Sequence, residues 1–338
     1  MGLKIINSGL LTTIQDIGRY GYQKEGIIVS GPMDAFALRV ANLLVGNEES
    51  AAAIETTFLG PKILFEADHL IAITGGDLSP TINGEAVKMW RPIFVPQGSL
   101  LQFGAPGLGS RAYVAVSGSF SLPKVLGSYA TYLRAEVGGF KGRALQAGDL
   151  LPCPGPTPAG EHLQQSLTKN KSISGGVQAS WTPMPQLFPD LAANPTLRVI
   201  KGPEYDLFTP ASQQAFWEQE FIVTTDSDRM GYRLQGVPLL LSEPKEMISS
   251  AVTFGTLQVP PEGHPIALLA DHQTTGGYPR IGQVITADFS NLAQVPLGKK
   301  IWFREVSLED AQYLYIKQEQ NIQQIKQAIS YKIRLKRK

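Results

Sequence analysis

The chain has 338 residues, of which 43% are apolar, and its formal net charge at pH 7 is +1. This length predicts two domains, and the near-zero charge gives no general attraction to nucleic acid or to anionic membranes. The single cysteine, Cys153, excludes an intrachain disulfide and favours a reducing compartment. No apolar run reaches transmembrane length and no secretory signal opens the chain, so we expect a cytoplasmic protein.

Most predicted elements are short strands. Turn residues separate apolar runs rich in β-branched residues, such as HLIAIT, RAYVAV, EFIVTT and PIALLA, and this pattern indicates a mainly β protein. A first helix is predicted over MDAFALRVANLLVGN, with Asp34 as its N-cap and Gly46 as its stop signal. A second helix is predicted from Ser307, three residues before Asp310 in an imperfect capping box. We interpret the basic tail that follows it, YKIRLKRK, as a solvated helix end.

The sequence repeats itself at an offset of about 200 residues. The matching pairs are VPQGSLLQF at 95–103 with VPLGKKIWF at 295–303, AITGGD at 72–77 with QTTGGY at 273–278, and VSGPMD at 29–34 with DSDRMG at 226–231. Because the pairs keep one order along the chain, we predict an internal duplication in which each half is a β-rich domain with the same fold.

A Pro-, Gly- and Ser-rich stretch separates the two predicted halves. It has little periodicity and is interpreted as an irregular connector. The predicted organisation is a first domain at 1–151, the connector at 152–196, a second domain at 197–306, and a C-terminal helix with its basic tail at 307–338.

Four stretches concentrate polar side chains and glycines between predicted strands. They are 12–34, with Gln15, Arg19 and Asp34; 74–84, with a glycine pair; 224–236, with Arg229 and Tyr232; and 258–280, with Gln258, Asp271, Thr274, Thr275, Tyr278 and Arg280. A glycine pair after a strand forms either an anion-accepting nest or a tight turn. For the side chains, the alternative to ligand binding is mutual pairing, such as a salt bridge between Asp271 and Arg280 that braces a loop.

Other chemistries do not fit this sequence. Four histidines and one cysteine show no zinc-ligand spacing, and we expect no metal site. No nucleophile elbow or Walker A loop is found, and the Pro-rich surroundings of Cys153 argue against a positioned nucleophile. The polar stretches therefore predict recognition of a small molecule rich in amide and carboxylate groups.

Several of these motifs together resemble a known family. The segments TTIQDIGRYGYQ, SGPMD, ANLLVGN, DSDRMGYRLQG and ADHQTTGGYPRIGQV are similar to the allophanate hydrolase subunit 2 family, also described as the carboxyltransferase-type domain of urea carboxylase. The resemblance covers roughly residues 3–306. It implies two tandem cyclophilin-like β-barrel domains from an internal duplication, with a few helices and a C-terminal helix.

The resemblance also implies a function. Stand-alone bacterial members of the family include the third subunit of an ATP-dependent 5-oxoprolinase, which opens 5-oxo-L-proline to L-glutamate with companion subunits B and A and with ATP as co-substrate. Two alternatives remain open: a regulatory protein that antagonises a histidine-kinase inhibitor by binding its partner subunit, and a biotin-dependent carboxyltransferase-type subunit acting on urea or a similar amide. Lys88, in AVKMW, is interpreted as an ordinary hairpin residue, so we expect no biotin on this chain.

Opening a lactam requires a base, contacts to the amide and cations around a carboxylate or phosphate group. Asp271 is the candidate base and Asp34 its alternative, while Arg280 or Arg19 would hold the carboxylate or phosphate group. The remaining substrate-binding candidates are Gln258, Thr274, Thr275, Tyr278, Gln15, Arg229 and Tyr232. Without its companion subunits, the chain is expected to be inactive.

Overall fold

The chain forms two compact units in a computed structural model that describes residues 2–169, 176–245 and 247–335. The first unit comprises Met1–Arg19, Asp34–Phe188 and Gln320–Lys338, and the second comprises Tyr20–Met33 and Pro189–Glu319. The segment at 20–33, expected in the first domain, therefore belongs to the second unit.

Two sheets build the first unit. Its strands are β1 (Gly2–Asn7), β2 (Leu11–Gln15), β3 (Ala53–Thr57), β4 (Lys62–Phe65), β5 (His69–Gly75), β6 (Thr81–Ile82), β7 (Glu85–Ala86), β8 (Pro92–Val95), β9 (Leu100–Gln102), β10 (Arg111–Val116), β11 (Leu150–Pro152) and β12 (Val177–Gln178). Their hydrogen bonding gives two six-stranded sheets, ordered β11-β1-β4-β9-β6-β7 and β12-β8-β5-β10-β3-β2. Strands β5 and β10 are buried along their whole length, as central strands covered on both faces require.

Helices α1 (Ala35–Leu44) and α2 (Pro158–Thr168) belong to the first unit. Helix α1 is capped as predicted, because the Asp34 carboxylate accepts a hydrogen bond from the backbone N–H of Ala37 at 3.0 Å. Helix α2 lies inside the segment predicted as an irregular connector, and this differs from expectation. Its N-cap Thr157 is followed by proline at the first helical position, and the chain carries a buried apolar stripe there.

A closed barrel forms the second unit. Its strands are β13 (Thr196–Lys201), β14 (Phe221–Val223), β15 (Gly231–Gln235), β16 (Ser250–Ala251), β17 (Thr256–Gln258), β18 (Ile266–Leu268), β19 (Thr275–Gly276), β20 (Arg280–Val284) and β21 (Lys300–Glu305). The barrel order is β13-β20-β17-β18-β15-β14-β21, while β16 and β19 pair separately. Closure pairs the edges of the barrel sheet, and inside it the rings of Phe216 and Phe303 stack with centroids 4.9 Å apart.

Three helices complete the described chain: α3 (Pro210–Glu218), α4 (Phe289–Gln294) and α5 (Leu308–Leu335). Helix α5 confirms the predicted C-terminal helix, and Ser307 caps it by accepting a hydrogen bond from the Asp310 N–H at 3.0 Å. Its later turns place Ile322 and Ile325 in a core of the first unit. Residues 336–338 of the basic tail lie outside the described residues. No helix in the described part of the chain is long and apolar enough to cross a membrane.

The mainly β fold with a barrel and a C-terminal helix is therefore as predicted, although the strands of the first unit form two sheets. The best structural support for the repeat comes from the turns in the matched stretches 95–103 and 295–303. In each unit the N–H three residues after a proline donates to that proline's carbonyl. These bonds join Ser99 to Pro96 at 3.2 Å and Lys299 to Pro296 at 3.2 Å.

Each turn also binds the end of the strand that pairs with the strand following the turn, β4 with β9 in the first unit and β14 with β21 in the second. Gly98 donates to the carbonyl of Phe65 at 2.8 Å, and Gly298 donates to that of Val223 at 2.7 Å. The two glycines have φ values of 80° and 77°, a conformation that glycine adopts without steric cost. Equal geometry at an offset of 200 residues supports an origin of the two halves by duplication.

These paired turns generate a matched prediction. Replacing Gly98 or Gly298 by alanine should cost about 1–2 kcal/mol of unfolding free energy at each site, because a side chain disfavours positive φ. A Cβ at either position would meet no atom within 4 Å, so no clash adds to that cost. Gly107→Ala is the control, since a Cβ there makes only ordinary contacts and its φ is not positive. Denaturant unfolding of all three variants measures the effect. Equal stability of Gly298→Ala and Gly107→Ala would contradict the assigned turn.

Candidate functional site

The sequence-predicted site residues are divided between the two units. Gln15, Arg19 and Asp34 belong to the first unit, and the other eight belong to the second. Each group is therefore considered by itself.

Asp34 acts in the first unit as a helix cap within a buried hydrogen-bonded chain. Its backbone N–H donates to the Tyr113 hydroxyl oxygen at 2.8 Å, and that hydroxyl donates to a Glu55 carboxylate oxygen at 2.7 Å. Burial, followed by the charge of Glu55, raises the pKa of Tyr113 well above its usual range. Asp34 thus caps the start of α1 through one carboxylate oxygen, and its role as the alternative base stays a prediction.

Gln15 and Arg19 hold a loop of the first unit. The Gln15 amide donates to the backbone carbonyl of Thr131 at 3.2 Å. The Arg19 guanidinium donates to the carbonyls of Val125 at 3.1 Å and Ala130 at 2.9 Å. Both side chains are buried. The Gln15 amide nitrogen and the Arg19 Nε and Nη2 atoms therefore donate to backbone carbonyls of the loop, a structural use that the sequence pattern did not distinguish from ligand binding. The Gln15 amide oxygen is buried without a hydrogen-bond partner.

In the second unit Asp271 pairs with Arg229. The salt bridge between Asp271 and Arg280, considered as an alternative from the sequence, does not form. Arg229 Nε lies 2.9 Å from one Asp271 oxygen and Nη2 lies 3.3 Å from the other. The side chains of Arg229 and Asp271 are only 5% and 6% exposed. A pair buried this deeply depends on its internal hydrogen bonds, because water cannot replace them.

The same pair fixes the segment at 20–33 within the second unit. The Ser30 hydroxyl donates to Asp271 at 2.7 Å, and Arg229 donates to the carbonyl of Gly31 at 2.5 Å. Ser30 has a φ of 55°, which is strained for a residue with a side chain. The Asp271 oxygens are therefore already occupied by two donors, and this geometry favours the mutual-pairing alternative for Asp271.

Arg280 pairs with Glu204. Its Nε and Nη2 donate to the two Glu204 oxygens at 2.8 and 2.7 Å, and its backbone N–H donates to the same carboxylate at 3.0 Å. This bidentate pairing lowers the pKa of Glu204 and raises that of Arg280. Glu204 was not singled out from the sequence, since nothing near KGPEYD marks it as a partner of a residue 76 positions away.

Gln258 lies opposite Arg280 across the β17–β20 pairing. It also accounts for the glycine at position 276, the first of the pair at 276–277. A Cβ on Gly276 would lie 2.4 Å from the Gln258 amide nitrogen, so a side chain there would require the buried Gln258 amide to move. The amide donates to the backbone carbonyl of Tyr278 at 3.5 Å, and Gln258 is 2% exposed. Gln258 therefore supports the strand behind Tyr278.

An open cavity of about 670 Å³ lies beside these residues. Its lining residues are Phe208, Leu239, Leu240, Leu241, Pro244, Lys245, Met247, Val259, Pro260, Pro261, Gly277, Tyr278 and Pro279. The walls are apolar, and among the described residues Lys245 is the charged residue of the lining. A concave apolar site with a few polar groups is the usual form of a small-molecule site, so we take this cavity as the candidate functional site.

Tyr278 is the predicted site residue that lines the cavity, and it is 45% exposed. Thr275 and Thr274 support the neighbouring backbone: β19 pairs Thr275 with Ala251, and the carbonyl of Thr274 accepts the Val252 N–H at 3.2 Å. Lys245 was not predicted from the sequence, because a lysine that follows a proline carries no signal of a binding role.

Tyr232 occupies the barrel core instead. Its phenol is 1% exposed and donates to the carbonyls of Val295 at 3.1 Å and Ala293 at 3.4 Å. We therefore do not retain Tyr232 as a substrate-binding candidate.

Two further kinds of site were considered from the sequence, a metal site and a nucleophilic thiol. No group of three histidine, cysteine or acidic residues is arranged there to hold a metal ion. Burial raises the pKa of the Cys153 thiol to about 12, and a thiol in that state is a poor nucleophile at neutral pH.

Comparison with known proteins agrees with this architecture. Residues 25–305 match the family described as the carboxyltransferase domain, subdomain A and B. The chain belongs to this family. It is 40% identical over 309 residues to the C-type subunit of the 5-oxoprolinase of Escherichia coli, covering 91% of this chain and 93% of that protein. It is 39% identical over 320 residues to the corresponding 5-oxoprolinase subunit of Haemophilus influenzae, covering 95% of this chain and 96% of that protein.

More distant relatives are parts of much larger proteins. The crystal structure of the K. lactis urea amidolyase superposes with a TM-score of 0.86 at 28% identity, covering 96% of this chain and 20% of that chain. Family membership inferred from the motifs is thus confirmed, and the fold is shared with a urea amidolyase segment.

The Arg229–Asp271 pair generates a stability prediction. Asp271→Asn should cost about 3 kcal/mol of unfolding free energy, because it leaves a buried guanidinium without its counter-charge. The matched control is Asp226→Asn, at an exposed position of the same unit. Thermal unfolding of both variants, of Arg229→Gln and of the double variant Asp271→Asn with Arg229→Gln measures the coupling. An unchanged melting temperature for Asp271→Asn would show that the pair does not hold the segment at 20–33.

The Glu204–Arg280 pair generates a pH prediction. Because Arg280 lowers the pKa of Glu204 in the folded state, the pair stabilises above the unfolded glutamate pKa of about 4.3 and loses this effect as pH falls through the lowered pKa. Glu204→Gln should cost about 1–3 kcal/mol at pH 7 and little once both states are protonated. Melting temperatures across pH, with exposed Glu262→Gln as control, test this. A destabilisation independent of pH would contradict it.

Proposed function

We propose that the chain is the C-type subunit of a 5-oxoprolinase, which opens 5-oxo-L-proline to L-glutamate with ATP hydrolysis. The observation that carries this proposal is the 40% identity to the Escherichia coli 5-oxoprolinase subunit over 93% of that protein. The similarity to urea amidolyase of Saccharomyces cerevisiae is lower, at 33%, and spans 17% of that protein. Matching length and higher identity both favour the stand-alone subunit.

The cavity of the second unit suits part of this chemistry. 5-Oxoproline presents ring methylene groups, a lactam amide and one carboxylate. Its methylene groups would pack against the leucine and proline walls, and Tyr278 supplies a phenol that can donate to the lactam carbonyl. Tyr278, with Gln258 and the Glu204–Arg280 pair supporting the strands behind it, is the part of the sequence-predicted site that this proposal retains.

The isolated chain leaves this site incomplete. Leu240 and Tyr278 in the lining are 53% and 45% exposed, so water reaches a bound lactam from one side. Asp271, the predicted base, already accepts hydrogen bonds from Arg229 and Ser30. We therefore propose that companion subunits B and A complete the site and that ATP acts as co-substrate of the assembled complex, with no biotin on this chain.

Carboxyl transfer to a small amide is the second candidate, because a urea amidolyase shares the fold with a TM-score of 0.86. Addition of a biotinylated carrier and bicarbonate would be required for that reaction and not for lactam opening. The two functions are therefore separated by which co-reactants the product depends on.

Reconstitution tests the proposed function. The chain alone, supplied with ATP and 5-oxoproline, should release no glutamate, whereas the complex with subunits B and A should release glutamate in proportion to ATP consumed. Omission of each component in turn provides the controls. Glutamate release by the chain alone would contradict the need for partners, and equal release by B and A without the chain would remove it from the reaction.

A further inference from the structure

The three arginines among the predicted site residues all have partners in the structure. In the second unit Arg280 makes a bidentate pair with Glu204, and Arg229 pairs with Asp271. In the first unit Arg19 donates to backbone carbonyls. Recruiting any of them to a substrate carboxylate would break bonds that are buried or partly buried, so the substrate's negative charge needs a different cation.

Lys245 is the cation that remains at the cavity. It lines the cavity and is exposed, and within the described residues it makes no ion pair. The pKa of Glu204 is lowered mainly by Arg280, and the positive charge of Lys245 contributes to the same lowering. Because Glu204 is already held by Arg280, the Lys245 ammonium can donate hydrogen bonds to the carboxylate of a ligand.

The loop that carries Lys245 is anchored at both ends. At its start the Ser242 N–H donates to the carbonyl of Leu207 at 2.9 Å. At its end Ser250 pairs with Gly276 across the small β16–β19 sheet. A Cβ on Gly277 would lie 3.3 Å from the Ser249 hydroxyl, so this loop passes closely over the second glycine of the pair. Lys245 is exposed, lies between these two anchors in the sequence and lines the cavity.

We propose that Lys245 determines specificity for a carboxylate-bearing lactam, by holding the carboxylate of 5-oxoproline while its ring lies against the apolar walls near Tyr278. This inference rests on the proposed function. A lysine is suited to the role because its ammonium offers three rotatable donors on a flexible stem and adapts to a small ligand. A neutral lactam of the same ring size would gain the apolar contacts but not the ionic one.

The test compares three substitutions in the assembled complex. Lys245→Gln removes the charge, Lys245→Arg keeps it, and Lys299→Gln is the matched control at an exposed lysine of the same unit that is not part of the lining. Lys245→Gln should raise the KM for 5-oxoproline by roughly tenfold with kcat within about twofold, because the lost contact is made equally in the bound and reacting states. Lys245→Arg should recover most of the affinity, and Lys299→Gln should match the wild type.

Competition by 2-pyrrolidinone, the lactam without a carboxylate, supplies a second readout. Its inhibition constant should be the same for the wild-type and Lys245→Gln complexes, since it offers nothing for the ammonium to bind. If the inhibition constant of 2-pyrrolidinone rises in Lys245→Gln as much as the KM for 5-oxoproline does, the substitution disturbs the cavity as a whole, and the proposal is overturned. An unchanged KM for Lys245→Gln, in a complex that releases glutamate, would overturn it while leaving the proposed function intact.

If the complex is inactive, direct binding of 5-oxoproline tests the role of Lys245 separately from the proposed function. If no glutamate is released, the proposed function fails. Titration of the isolated wild-type and Lys245→Gln chains with 5-oxoproline, followed by NMR, then decides the inference alone. Weaker binding to Lys245→Gln supports it, while equal binding or no binding to either chain overturns it.

Discussion

The buried ion pair between Arg229 and Asp271 is the interaction on which the second unit depends most. Two opposite charges removed from water are stable only when their geometry and hydrogen bonds are complete. Here the missing bonds come from Ser30 and the carbonyl of Gly31, so the pair is satisfied only when the segment at 20–33 is in place. A stretch from early in the sequence thereby becomes part of a unit formed mainly by residues 189–319. The strained φ of Ser30 is held by these bonds.

Mutual pairing also shapes the other polar residues near the barrel. Arg280 is held by Glu204, and the Gln258 amide packs closely against Gly276. These side chains support the strands β17, β19 and β20, and so they position the wall from which Tyr278 meets the cavity. Polar residues between strands thus support the cavity wall from behind, while the cavity itself is lined by apolar side chains, Tyr278 and Lys245.

A duplicated fold with an open cavity in the second unit agrees with a subunit that works in a complex. The repeated turns at Gly98 and Gly298 show that the two halves kept a common hydrogen-bond pattern. The polar residues of the two units are used differently: Arg19 holds backbone carbonyls in the first unit, and Arg229 holds a carboxylate in the second.

The sequence by itself determined the class of fold, the repeat, the helix capped by Asp34, the C-terminal helix and membership of the family. Each depends on local patterns: alternation of apolar residues, caps, turn glycines and long motifs in order. The tertiary structure alone decided which charges meet. Asp271 could pair with Arg280 or Arg229 as far as sequence shows, since both lie on nearby polar stretches, and only the barrel registers bring Arg229 to it and Glu204 to Arg280. The same holds for Lys245, because a cavity is formed by residues distant in sequence, and no local pattern records which of them line it.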